Sequence, residues 1–185
     1  MDRVEIASAG FNLLYALGIV WKKRWAWPAG ILGCALAVFL FWDLHLYLEA
    51  VLNVLYAALA LYGWWTWSQA ESLSSHAHWP GTPLLGMLLL LVAVVWPLGY
   101  GFDQWSDNPR PYADAAIFSF SVVATWMQAQ RIFQNWYMWM GINLAMVFLC
   151  TDRGLLIYAG YSAIMLFMAF YGAYSWRLSE ERSNN

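Results

Sequence analysis

Apolar residues run through this chain in seven long stretches separated by short polar breaks, and each stretch approaches the length of a helix that crosses a bilayer. The stretches cover residues 6–21, 27–42, 44–67, 84–100, 113–128, 136–150 and 155–176. Between them lie a basic turn (Lys22, Lys23, Arg24), a turn around Asp43, a polar stretch over 68–82, an acidic, proline-containing loop over 103–111, and turns at Arg131 and Arg153. The pattern predicts an all-α membrane protein with seven transmembrane helices.

The spans repeat. A shift of 109 residues places Trp27 on Trp136, Val38-Phe39-Leu40 on Val147-Phe148-Leu149, Asp43 on Asp152, Tyr62-Gly63 on Tyr171-Gly172 and Trp67 on Trp176, without a gap. Apolar composition alone produces chance matches among aliphatic residues, but not a shared register of Asp, Trp and Tyr-Gly. Spans one to three therefore correspond to spans five to seven. Three crossings are an odd number, so a second copy following directly would enter upside down; the unmatched span four restores the direction. The expected plan is a 3+1+3 parallel repeat with an axis along the membrane normal: repeat one over 5–67, a linker helix over 84–100, and repeat two over 113–176.

Composition agrees. Of 185 residues, 62% are hydrophobic and only 11% charged, which excludes a water-soluble globule. Fourteen Trp, eleven Tyr and ten Phe exclude a disordered or nucleic-acid-binding chain. Seven spans of about 20 residues leave room for loops and tails only, so a single transmembrane domain is expected and no second, aqueous one. Residues 1–5 lack the charge pattern of a cleaved signal peptide. Cys34 and Cys150 sit within apolar runs and are expected to be buried free thiols. With the N-terminus outside, Lys22, Lys23, Arg24, Arg131, Arg177 and Arg182 fall inside, and only Arg3, Arg110 and Arg153 fall outside. The positive-inside rule then selects an N-out, C-in topology.

Polar residues in hydrocarbon face the bundle interior or a wet cavity, so their helical phase locates a pathway. In span three, Glu49, Asn53 and Tyr56 follow i, i+4, i+7. In span five, Asp114, Ser121, Thr125 and Gln128 share a face; in span six, Trp136, Trp139 and Asn143 fall within about 60° of one another. Each has two readings. Trp136 is a ligand-facing ring or an interfacial belt anchor; Asn143 is a ligand contact or interhelical glue. Glu49 is functional or a solvated acid at a helix end, and Ser121 and Thr125 face the ligand or bond their own backbone. Tyr62-Gly63 and Tyr171-Gly172 are expected to serve close helix packing. His76 and His78 form a His-x-His in a polar loop; two ligands without a third assign no metal. Phosphate-loop, zinc-signature and nucleophile motifs are absent, and no cofactor or enzymatic activity is expected.

The element Asn135-Trp136-x-x-Trp139-x-x-x-Asn143 resembles the signature of the Pnu family of vitamin-precursor transporters. So do Ser121-Val122-Val123-Ala124-Thr125, the Tyr-Gly-x-x-x-Trp endings of spans three and seven, and the basic turn after span one. The resemblance implies a plan similar to the SWEET sugar carriers, a place in the bacterial cytoplasmic membrane, and facilitated diffusion of a vitamin precursor that a cytoplasmic kinase then traps by phosphorylation without stable binding. Its members carry nicotinamide riboside, thiamine or riboflavin. Nicotinamide riboside and thiamine both present a cationic aromatic ring, which Trp136 and Trp139 are suited to attract, while Asn143, Asn53 and Gln128 offer uncharged hydrogen bonds to an amide or to hydroxyls. The expected partners are this small molecule and membrane lipids, without nucleic acid; monomer and symmetric trimer both stay open. A non-transporting receptor or scaffold is the reading from another class.

Overall fold

The computed structural model describes residues 2–43, 47–70, 76–105 and 110–184, and these form seven helices. They are α1 Asp2–Val20, α2 Ala26–Asp43, α3 Tyr47–Gln69, α4 Gly81–Trp105, α5 Pro111–Ala129, α6 Asn135–Asp152 and α7 Leu156–Asn184. By length and composition α1, α2, α4 and α7 can cross a membrane. Helices α3, α5 and α6, of 23, 19 and 18 residues, carry the polar stripes. Helix α7 continues past residue 176 because no Gly or Pro interrupts Arg177 to Glu181, and its polar last turns suit water rather than lipid. Parts of the expected connections, 44–46, 71–75 and 106–109, lie outside the described residues.

The packing order is a ring. Helix α1 packs on α2, α2 on α3, α3 on α5, α5 on α6, α6 on α7 and α7 on α1; α4 packs on α5 outside it. Exchanging each of α1 to α3 for its counterpart 109 residues on leaves this list unchanged, and the detail follows. Helices α1 and α5 end in the same way: Lys22 (φ 52°) and Arg131 (φ 56°) adopt the left-handed conformation. Lys23 N donates to Gly18 O at 2.7 Å and Ile132 N to Met127 O at 2.8 Å. These are the six-to-one bonds of a Schellman cap, which satisfies carbonyls a helix end would otherwise strand. A glycine would be the unstrained choice there; a basic residue adds a charge at the helix terminus, where a cation is favoured.

The core sits where these two turns meet the ends of α3 and α7. The Trp27 indole lies on Gly63, so close that a Cβ there would come within 2.4 Å of it; Trp136 lies on Gly172 in the same way, and a Cβ there would come within 2.3 Å of its ring. Trp67 meets Trp27 edge-on at 5.4 Å and 81°, and Trp176 meets Trp136 at 5.4 Å and 86°. Trp67 Nε1 donates to Ala129 O at 3.1 Å and Trp176 Nε1 to Ile19 O at 3.2 Å. Thr66 Oγ1 donates to Ala129 O at 3.0 Å and its counterpart Ser175 Oγ to Val20 O at 3.3 Å. Each half thus extends the end of its last helix onto the turn of the other half. Trp67 and Trp176 touch at 6.4 Å, joining both sets into one buried cluster.

This packing makes Gly63 and Gly172 intolerant of one methyl group, since both the indole and the helix backbone are fixed. Gly172→Ala is expected to cost about 1–3 kcal/mol by overpacking, read as a lower thermal unfolding temperature in detergent. Gly141→Ala, with open space at its Cβ, is the matched control and is expected to lose nothing. Equal unfolding temperatures for the two variants would contradict the nesting.

Candidate functional site

Two polar pairs bridge the halves of the ring. Tyr15 on α1 donates its hydroxyl to Gln128 Oε1 on α5 at 2.9 Å. On α3, the Tyr56 hydroxyl faces Ser121 of α5. Ser121, Thr125 and Gln128 are all buried, on the face of α5 that the sequence pattern predicts. Thr125 Oγ1 donates to Ser121 O at 2.8 Å, so its hydroxyl is engaged by its own helix. Tyr15 also packs edge-on against Trp27 at 5.5 Å, which ties this polar layer to the tryptophan core.

The span-six residues divide. Trp136 is 4% exposed and nested in Gly172, so it neither anchors to an interface nor presents its ring to an open cavity. The ring supplies a core contact that joins α6 to α7. Trp139 is only partly buried and packs against both buried clusters. Its Nε1 is buried without a hydrogen-bond acceptor. A stranded indole N–H costs about 1–3 kcal/mol, and a group from outside the chain can recover it. Asn143 Nδ2 donates to the main-chain carbonyl of Trp139 at 2.8 Å, within its own helix. Trp27 and Trp136 carry unpartnered Nε1 atoms too, but these two correspond under the shift of 109 residues and belong to the packing unit. Trp139 has no such counterpart. Its equivalent is Gly30, filled by the Tyr15 ring, whose Cδ2 a Cβ at Gly30 would meet at 2.8 Å; opposite Trp139 the place of Tyr15 is taken by Ala124.

The span-three stripe is less engaged. Glu49 is exposed near the start of α3, and Asn53 Nδ2 donates to Glu49 O at 2.8 Å, within its own helix. Neither meets the α5 stripe through a hydrogen bond among the described residues. Sequence reasoning missed Tyr15 and Asn12. The signal was present: Ser8, Asn12 and Tyr15 repeat the i, i+4, i+7 spacing of Glu49, Asn53 and Tyr56. Ser8 Oγ donates to Gly33 O at 2.9 Å, and the Asn12 side chain covers the same glycine. A separate groove of about 390 Å³ between α4, α5 and α6 is lined by Leu84, Leu88, Ile117, Phe120, Met138 and Ile142 among others. None of the predicted site residues reaches it.

The Tyr15–Gln128 bond links α1 to α5, helices of different halves. Tyr15→Phe keeps the ring on Gly30 and Trp27 but leaves Gln128 Oε1 buried without a donor, an expected loss of about 1–3 kcal/mol. Gln128→Leu in the Tyr15→Phe background should recover part of it. A double-mutant cycle on thermal stability measures this, and strictly additive losses would show the pair to be uncoupled.

The relatives agree with a transporter. The chain is 22% identical over 175 residues to the nicotinamide riboside transporter PnuC of Escherichia coli strain K12, covering 80% of this chain and 73% of that one. It is 27% identical over 176 residues to the riboflavin/roseoflavin transporter RibM of Streptomyces davaonensis, covering 88% and 79%. In fold it resembles the crystal structure of the vitamin B3 transporter PnuC with a TM-score of 0.73, at 18% identity over 98% of this chain and 83% of that one. A family model described as nicotinamide mononucleotide transporter matches residues 2–178. With a match that runs through all seven helices, the chain belongs to that family of membrane transporters, the PnuC family.

Proposed function

We propose that this chain is a uniporter for nicotinamide riboside, working by facilitated diffusion in the bacterial cytoplasmic membrane, with the substrate trapped by a cytoplasmic kinase after release. The observation that carries the reading is Trp139: a half-buried indole, its N–H without an acceptor, one helical turn before Asn143 and at the place where the two halves differ most in side-chain volume. The indole face attracts a cationic pyridinium, and the N–H and amide offer bonds to a carboxamide or to ribose hydroxyls. The α5 stripe of Ser121, Thr125 and Gln128, with Tyr56 opposite, continues the polar surface across the ring. Asn53 and Glu49 lie nearer its outer end. Thiamine meets the same cation requirement and is the alternative substrate. The parallel 3+1+3 arrangement, N-out and C-in, gives the alternating-access geometry this requires. No ATP motif and no centrally placed acid pair accompanies it, so transport runs down the gradient.

Three outcomes test the proposal. In a thermal-shift panel of nicotinamide riboside, thiamine and riboflavin, nicotinamide riboside stabilises the purified protein most; stabilisation by none of them would point to a receptor or scaffold for something else. Trp139→Leu keeps apolar bulk and removes the π face, so affinity falls about 5- to 30-fold, the size of a desolvated cation–π contact of about 1–2 kcal/mol. Calorimetry on folded variant reads this, and wild-type affinity would move the site to the Glu49, Asn53 and Tyr56 stripe. Single cysteines placed at Lys22, Lys23 or Arg24 stay unreactive to an impermeant reagent from outside; reaction there would reverse the topology.

A further inference from the structure

The end of the bundle where α1, α3, α5 and α7 finish carries a cluster that the transport reading does not use. The segment after α3 is extended at Ala77, whose N–H donates to Arg131 O at 2.9 Å and whose carbonyl accepts from Phe133 N–H at 2.8 Å. An extended backbone sends side chains i and i+2 to one side. His76 and His78 accordingly lie together, ring centroids 5.0 Å apart, and both stack on Phe133 at 5.3 and 4.9 Å. Gln134 fixes the next residue, accepting from Trp79 N–H at 3.1 Å and donating to Trp79 O at 2.9 Å. From α7 comes Glu180, whose Oε2 lies 3.1 Å from His76 Nε2 and 3.2 Å from His78 Nε2.

We propose that His76, His78 and Glu180 form a binding site for a divalent transition-metal ion of the zinc class. The three donor atoms all lie within 4.8 Å of one another. In tetrahedral coordination with bonds of about 2.0–2.1 Å the ligand atoms are about 3.3 Å apart, so the two histidine–carboxylate edges are already close to the bound spacing. Two imidazoles and one carboxylate suit zinc, cobalt, nickel or copper, not magnesium or calcium. The histidine orientations are set in advance by the backbone pairing of Ala77 and by the Phe133 ring. His76 is sealed between Phe133 and Trp176, whereas His78 and Glu180 are 46% and 36% exposed, leaving an entry path and a fourth position for water. Lys22 Nζ lies 3.3 Å from His76 Nδ1 and also donates to Ser179 Oγ. A metal at Nε2 places the imidazole proton on Nδ1, so Lys22 gives up the first contact and keeps the second. The bound ion would staple the α3–α4 connection to α7.

The test uses the full chain in detergent, with any affinity tag removed and metal stripped by a chelator. Titration with Co²⁺, followed by its visible absorption, is expected to saturate at one equivalent with the intense bands of a four-coordinate site, and Zn²⁺ should displace it. Loss of a direct ligand exceeds the 10–100-fold effect of an outer-shell partner, so His78→Ala and Glu180→Gln should each weaken Co²⁺ binding at least about 10-fold. Both side chains are partly exposed, and unfolding temperatures without metal should match the unaltered protein. Absence of a saturable one-equivalent site, or unchanged binding in either variant, overturns the proposal.

Discussion

Everything in this molecule hangs on two indoles set into two glycines. In lipid the apolar surface of a helix gains little by burial against another helix, so association rests on close packing and on satisfied polar groups. Trp27 on Gly63 and Trp136 on Gly172 supply the first. The N–H groups of Trp67 and Trp176, donating to the last carbonyls of α5 and α1, supply the second. A carbonyl at a helix end has no partner in its own helix; Ala129 O takes Trp67 and Thr66, and Ile19 O, which accepts from Lys22 N–H in the cap, takes Trp176 as a second donor, so these bonds tie the halves together. Aromatic edge contacts add about 0.5–1.5 kcal/mol each beyond area. The four indoles therefore form one unit, and Trp136 is accounted for by it.

Around a symmetric hub, what distinguishes the two halves is made by departures from symmetry. The departures are exchanges of volume at equivalent positions. Where one half has Tyr15 against Gly30, the other has Ala124 and Trp139; where one has Asn12 against Gly33, the other has Ser121 and Ile142. Each exchange conserves filling, which core packing demands, while moving polar and aromatic groups from one helix to another. Tyr15 is thereby brought to Gln128, and Trp139 is left with an unsatisfied donor.

The seven helices were legible in the sequence because apolar run length survives without any tertiary information. The role of Trp136 was not. Its position near a span end is the same for a belt anchor, a ligand ring and a core ring, and its nesting in Gly172, 36 residues away in sequence, cannot be read from that position. The polar face of α5 was readable from spacing alone, but its partner Tyr15 lies 113 residues away and becomes a partner only when the ring closes. Glu180 was hidden for a related reason: hydrophobicity ends the span at residue 176, whereas helix propensity carries α7 on to Asn184.

The two ends of the bundle are built on different physics. At the end with Glu49, Asn53 bonds within its own helix, and Arg110 pairs with Asp152 and Arg153 with Asp114, ties between α5 and α6 inside one half. At the other end Arg24 caps α3 through Ala70 O at 2.7 Å, the α3–α4 connection pairs with the α5–α6 turn, and Lys22 reaches α7. Lys22 is itself held down to about 8 by burial, against the pull of Glu180, so its ammonium loses its proton more readily in this packed arrangement than it would in water. The conformation described is thus braced across the halves at the basic end. In a carrier that opens to each side in turn, the braced end is the one whose contacts must be exchanged for others before a substrate can leave, and the Tyr15–Gln128 and Tyr56–Ser121 bridges are the inner layer of that closure.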